Sequence, residues 1–257
     1  MAQDGIKIWH ISDTHCLHEN LEPPDDIDIV VHSGDFSNHK DSKINKLEVQ
    51  LFLEWFSALD IKNKILVAGN HDVSIYRGLI KREYIENLGI SYLENSSINI
   101  CGFKFWGSPY TPTFGNGWAW NKPRNSINKI WNKIPEDTDI LVTHGPPKGI
   151  LDLTVNKSGR LESCGCASLK SKISKIRPAI CMFGHVHNSL YIKNNGIIKF
   201  QGKDEGEMSK CAWFDGNTYD VEGVTYSNGV CVDLTRGKLI NIHNGNTFLF
   251  FKKVNQK

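Results

Sequence analysis

Short apolar runs of strand length recur along the chain, and each is followed at once by polar, chemistry-bearing residues. The runs are residues 6–11, 27–31, 64–67, 139–142 and 179–183. Between them the apolar spacing changes. Residues 47–59 place apolar side chains at 47, 51, 55, 56 and 59, a helical period. Residues 80–88 predict a second helix with Gly89 as its C-cap. Residues 125–133 and 167–176 predict two more, and Pro178 then lets the chain turn into the next strand. Strands alternating with helices imply an α/β fold whose buried strands read as continuous apolar runs.

Other segments follow a different pattern. Residues 97–106 alternate apolar and polar positions around Cys101-Gly102, the pattern of a β-hairpin. Residues 193–223 are rich in Gly, Asn, Asp, Glu and Lys, and predict a polar surface excursion, near 194–223, with little core of its own. Short strands are expected again at 224–234, 238–242 and 247–251, with His243-Asn244-Gly245-Asn246 as the last hairpin turn. No repeat or Pro/Ser-rich linker divides the chain, so one domain over 1–257 is expected.

Composition narrows the function. The chain has 257 residues, 40% of them hydrophobic, enough for one large core. A net charge of +2 is too mild to indicate a nucleic-acid or membrane partner. The seven cysteines are odd in number and scattered, which favours free thiols, a reducing compartment and a cytoplasmic location. Cys164 and Cys166 have no second Cys or His pair at zinc-site spacing. The N-terminus lacks the basic start, apolar stretch and cleavage site of a secretory signal. No apolar run reaches the ~18 residues of a transmembrane helix.

The polar residues after the five runs are Asp13-Thr14-His15, Gly34-Asp35, Gly69-Asn70-His71-Asp72, Thr143-His144-Gly145 and Gly184-His185-Val186-His187. Carboxylate, amide and imidazole ligands delivered repeatedly from strand ends suit two divalent ions. Asp35 is the natural bridge, because two carboxylate oxygens can share two cations, and Gly34 lets the backbone turn. Asp13 and His15 are two residues apart, as are His185 and His187, and on extended backbone each pair points to one side. His71 follows Asn70 and is placed to donate a proton, with Asp72 orienting it through a carboxylate–imidazole hydrogen bond. The plainer alternative makes His71 a loop cap.

These five motifs, in this order, resemble the calcineurin-like metallophosphoesterase superfamily over roughly residues 6–190. Gly107-Ser108-Pro109, Thr143-His144-Gly145-Pro146-Pro147 and Phe183-Gly184-His185-Val186-His187 further resemble the small metallophosphoesterase-domain-containing phosphodiesterases. The resemblance implies a four-layer αββα sandwich of two packed mixed sheets flanked by helices. It implies one metal on Asp13, His15, Asp35 and His187, another on Asp35, Asn70, His144 and His185, and His71 as proton donor. It also implies hydrolysis of a small-molecule phosphate diester, such as a cyclic nucleotide or an aryl phosphate diester, with two ions as cofactors; the His-rich mixed nitrogen and oxygen donors suit Mn²⁺, Fe or Zn²⁺ better than Mg²⁺. The alternatives are a monoesterase, nucleotide pyrophosphatase or nuclease on the same centre, or a non-catalytic interaction module.

The remaining candidates have bland readings beside sharp ones. Trp118 and Trp120, with Phe114, lie in an aromatic, glycine-rich loop. Packing over the hairpin is the plain account; a wall for a nucleobase, with Arg124 or Lys122 near phosphate, is the sharper one. His32 and His10 sit inside apolar runs and read as satisfied core residues. His18 reads as a supporting or surface residue, and His39 and His243 as loop residues.

Overall fold

The computed structural model describes residues 6–188, 192–198, 224–233, 238–239 and 248–251. Two mixed sheets carry the fold. The first runs in the order Phe248–Phe251, Ile6–Ile11, Ile29–His32, Asn63–Leu66, Ser91–Tyr92, parallel except at its Phe248–Phe251 edge. The second runs Gly196–Ile198, Thr225–Asn228, Ile180–Phe183, Ile140–Thr143, Phe103–Ser108, Ser96–Ile100. It is parallel in the middle and antiparallel at both edges.

Side-chain alternation makes the layers. Ile8, Ile29, Val31 and Ile65 of the first sheet pack on Phe105, Ile140, Val142, Ile180 and Met182 of the second. Their sequence neighbours point the other way. Trp9, Val30 and Leu66 cover Val49, Phe52, Leu53 and Phe56 of the Ser42–Ala58 helix. Trp106, Leu141, Cys181 and Phe183 meet Trp131 of the Asn128–Trp131 helix and Leu169 and Ile173 of the Ala167–Ile176 helix. The central strands are therefore buried on both faces, and the result is the expected four-layer αββα sandwich. Each such side chain contributes roughly 1.5–3 kcal/mol on burial.

Element ends follow local chemistry. The first helix begins at Ser42, ahead of its apolar period, because Asp41 caps it by accepting from the Lys43 and Ile44 amides. The helix expected at 80–88 is Arg82–Asn87, followed by Gly89 at φ 77°. The one expected at 125–133 contracts to Asn128–Trp131, whereas Ala167–Ile176 has the expected bounds. The hairpin turn falls on Cys101 and Gly102, both at positive φ.

The polar stretch from residue 194 differs from a surface excursion where it begins. Asn194 is buried, and Gly196–Ile198 adds an edge strand to the second sheet against Thr225–Asn228. Two isoleucines were enough to place it there: Ile198 packs into the core beneath that sheet, and Ile197 packs against the core between the sheets. Residues 199–223 and the turn at 243–246 lie outside the described residues. Among the described residues, no helix is long and apolar enough to cross a membrane.

Candidate metal centre

The parallel strands of both sheets end at one place. Ile6–Ile11 leads to Asp13 and His15, Ile29–His32 to Asp35, and Asn63–Leu66 to Asn70 and His71. In the second sheet Ile140–Thr143 leads to His144, and Ile180–Phe183 to His185 and His187. Loops at the carboxyl ends of parallel strands are where such folds bind ligands.

The backbone there is not extended. φ is 54° at Asp13, 41° at His15, 58° at Asp35 and 70° at His185. Asp13 and His15 still converge, and His187 joins them, their ligand atoms all within 4.8 Å of one another. His185 turns away from His187 and groups with Asp35 and His144 within the same limit. The two-residue spacing thus decides neither pair, because the backbone at Asp13, His15 and His185 is left-handed and the alternation of an extended chain does not apply. Gly184 has no room for a side chain, since a Cβ would collide with Ser12 and Asp13.

The hydrogen bonds show what the cluster lacks. His15 Nδ1 donates to the Ser37 carbonyl at 3.2 Å, and His144 Nδ1 to the Ser33 carbonyl at 2.9 Å. A carbonyl only accepts, so each Nδ1 carries a hydrogen, and in the neutral ring each Nε2 offers a lone pair. His144 Nε2 faces Asn70 Oδ1 at 2.9 Å and Asp35 Oδ2 at 3.3 Å. His15 Nε2 faces His187 Nε2 at 3.2 Å, and His187 Nε2 lies 3.0 Å from Asp13 Oδ1. Acceptors converge on two adjacent points, with Asp35 beside both. Imidazole, carboxylate and amide oxygen fit divalent cations there.

The charges agree. Burial alone would raise Asp35 and Asp13, but His144 beside the first and His187 beside the second hold both carboxyls below the usual range. Burial keeps His15 and His185 neutral, lowering them to about 4 and about 3. Against its own burial, His144 is raised to about 9 by the Asp35 carboxylate. A divalent ion would take over the charge that this proton supplies.

His71 stands at the edge of the cluster. Its Nδ1 donates to the Asn38 carbonyl at 2.9 Å, and its Nε2 lies 4.0 Å from Asp35 Oδ2. The orienting hydrogen bond expected from Asp72 is not made. The Asp72 carboxylate instead accepts from the backbone amides of Asp35, Ser37 and Gly69 and from the Ser37 hydroxyl. It staples the Asp35 loop to the Asn70 loop from beneath. Burial, then the Asp35 charge, push its carboxyl up to about 7 against those four donors.

The aromatic loop divides. The Trp118 ring lies 4.2 Å from that of His71, and the Phe114 ring 4.7 Å from that of His185. Lys40 sits over Trp118 at 3.7 Å. Trp120 does not reach the site: it is buried in the core beneath the first sheet, with Tyr76 against it. Arg124 is also elsewhere, donating to the carbonyls of Cys164 and Gly165. His10 and His32 are the expected satisfied core residues: His10 bonds Ser227 and Ser33, and His32 bonds Thr14. His18 is neither exposed nor at the site, but packed on Phe52 and Trp55.

Sequence reasoning missed the groups that hold the loops. Asn45 is fully buried on the Ser42–Ala58 helix, where its Nδ2 donates to the His71 carbonyl at 2.8 Å. Its signal was legible: an asparagine in line with Val49, Phe52 and Phe56 on the apolar face. Asn194 and the carbonyls of Ser33, Ser37 and Asn38 carried no such signal.

A two-sheet sandwich with this paired acceptor cluster at its strand ends is an α/β fold built to hold metal ions. The calcineurin-like phosphoesterase profile matches residues 6–189, and the chain belongs to that family. It is 32% identical over 214 residues to metallophosphoesterase domain-containing protein 1 of Homo sapiens. That match covers 74% of this chain and 63% of the human protein, so the chain spans less than two thirds of that relative. A UPF0046 protein of Caenorhabditis elegans is 34% identical over 216 residues, covering 77% of this chain and 74% of its own. A solved phosphopantetheinyl hydrolase from Mycobacterium tuberculosis shares the fold, with TM-score 0.54 and 14% identity over 99% of this chain and 98% of its own.

Proposed function

We propose that the protein is a phosphodiesterase working with two divalent ions, Mn²⁺ first and Fe or Zn²⁺ next, in the cytoplasm. The observation that carries this reading is the double convergence of acceptors beside Asp35, with Asn70, His144 and His185 on one side and Asp13, His15 and His187 on the other. Mixed imidazole and oxygen donors favour these metals over Mg²⁺. Bound there, the ions would polarise the phosphoryl group and acidify the attacking water. His71 protonates the departing oxygen through Nε2, the Asn38 carbonyl having fixed the other nitrogen.

Two features support a small diester with an aromatic ester group. Arg124 is committed to backbone carbonyls, so it adds no second charge for a dianionic monoester. Phe114 and Trp118 flank the centre from His185 to His71, a wall on which a nucleobase or aryl group can stack. The free thiols of Cys16, Cys101, Cys164, Cys166, Cys181 and Cys231 support the cytoplasmic placement.

The test is hydrolysis of bis(p-nitrophenyl) phosphate and p-nitrophenyl phosphate by chelator-stripped protein, with and without Mn²⁺. Metal-restored turnover favouring the diester is expected. Faster monoester turnover would overturn the diester preference. No turnover with Mn²⁺, Zn²⁺ or Fe²⁺, in folded protein that binds two ions, would overturn the proposed activity.

A further inference from the structure

We propose that Asn194 is a positioning residue for the metal centre: by clamping the backbone of His187 it aims that imidazole at the ion shared with Asp13 and His15. The inference rests on the two-ion reading above.

The histidines of the centre are not held alike. His15, His144 and His71 each give Nδ1–H to a backbone carbonyl, of Ser37, Ser33 and Asn38 in turn. Such a bond fixes both tautomer and ring rotation. His187 Nδ1 is buried and has no partner among the described residues. Nothing described behind the ring sets its direction, so its aim depends on where the backbone places it.

Asn194 sets that place. It is 1% exposed, and its Nδ2 donates to the His187 carbonyl at 2.9 Å. The same amide pairs with Leu153 as a peptide would: Nδ2 donates to the Leu153 carbonyl at 2.9 Å, and Oδ1 accepts from the Leu153 amide at 3.1 Å. Leu153 opens a two-stranded hairpin next to Asp152, a buried carboxylate that accepts from the Gly149 and Gly165 amides. Asn188 closes the arrangement, its Oδ1 accepting from the Asn194 backbone N–H at 2.7 Å. The His187 loop is thereby fixed to the hairpin through one side chain. The bland alternative is that Asn194 merely satisfies the hairpin; its bond to His187 is what separates the two.

The test titrates Mn²⁺ into chelator-stripped protein against a competing chelator, and records the electron paramagnetic resonance of the loaded forms. Wild type, Asn194→Ala, His187→Ala and the double variant are compared. Asn194→Ala is expected to weaken one ion by about tenfold or more, as loss of a ligand-orienting group does. The spin-coupled pair signal should give way to that of isolated Mn²⁺, and on a His187→Ala background the same change should add nothing. Equal weakening of both ions, unchanged affinity, or full additivity with His187→Ala would overturn the role. If Asn194→Ala does not fold, Asn188→Ala loosens the same clamp from outside. Selective weakening of one ion there supports the proposal, and any other result overturns it. A wild type that binds fewer than two ions would instead sink the underlying two-ion reading.

Discussion

The His71 loop and the His187 loop approach the same centre from different sheets, and they are held to different degrees. His71 is fixed three times: its amide donates to Asp35 Oδ1 at 2.7 Å, its carbonyl accepts from Asn45, and its ring is bonded to Asn38. Beneath it Asp72 ties the Asn70 and Asp35 loops together. His187 has a backbone clamp and a ring without a rear partner among the described residues. Both ions draw ligands from both sheets, and the ion beside His187 is the one whose ligand set depends on this clamp, so it is the ion that loosening the clamp should weaken. Orienting bonds of this kind are typically worth 10–100-fold in metal affinity.

The strongest way to break this asymmetry is to remove what both ions share. Asp35→Ala is expected to lose both ions and all turnover, measured as metal content after dialysis and as rate with Mn²⁺ restored. Retention of one ion at wild-type affinity would show that the carboxylate is not shared.

Next comes the well-held loop. His71→Ala should keep near-normal metal content while kcat falls about 10²-fold or more, the range for a lost general acid. The fall belongs to substrates with an alkoxide leaving group, such as a cyclic nucleotide. With bis(p-nitrophenyl) phosphate it should be far smaller, because the aryloxide departs without a proton. Equal losses on both substrates, or loss of metal, would remove His71 from the role of donor.

What the sequence made legible follows from the same physics. The strands were readable because both faces are buried, so Ile29, Val30 and Val31 are apolar without interruption. The metal-type residues were readable from side-chain chemistry alone. The partition of His185 from His187 came from the family resemblance and not from spacing, because no residue type announces the φ of 70° at His185. Asp72 misled for another reason: a carboxylate next to a histidine in sequence can bond any nearby donor, and here the closest are backbone amides, which are identical at every position. Gly196–Ile198 was hidden by its polar neighbours and its short length.

The two sheets can also be compared through His10, which bonds Ser33 at 3.0 Å in the loop after a first-sheet strand and Ser227 at 2.8 Å in the second sheet. Burial lowers its pKa from 6.5 to about 3. The unfolded chain therefore takes up the proton first as pH falls. His10 stabilises the fold fully above pH 6.5, and that contribution is lost progressively toward pH 3, at about 1.4 kcal/mol per unit. Denaturant unfolding of the stripped protein across this window should show a shallower pH slope in His10→Gln. An unchanged slope would place the acid sensitivity on other buried histidines.

The smallest expected effect separates two tryptophans only two residues apart. Trp118 is half-buried beside His71, whereas Trp120 is 2% exposed within the core beneath the first sheet. Trp118→Ala should raise KM for a nucleotide diester about tenfold, within the ~1–3 kcal/mol of a lost base stack, and leave the melting temperature nearly unchanged. KM for a small alkyl aryl diester should move less. Trp120→Ala should do the reverse, costing roughly 3–5 kcal/mol of stability through the cavity it opens. If both variants lose stability and neither shifts KM, the aromatic loop packs over the centre without reading the substrate, and the ester group it was assigned must bind elsewhere.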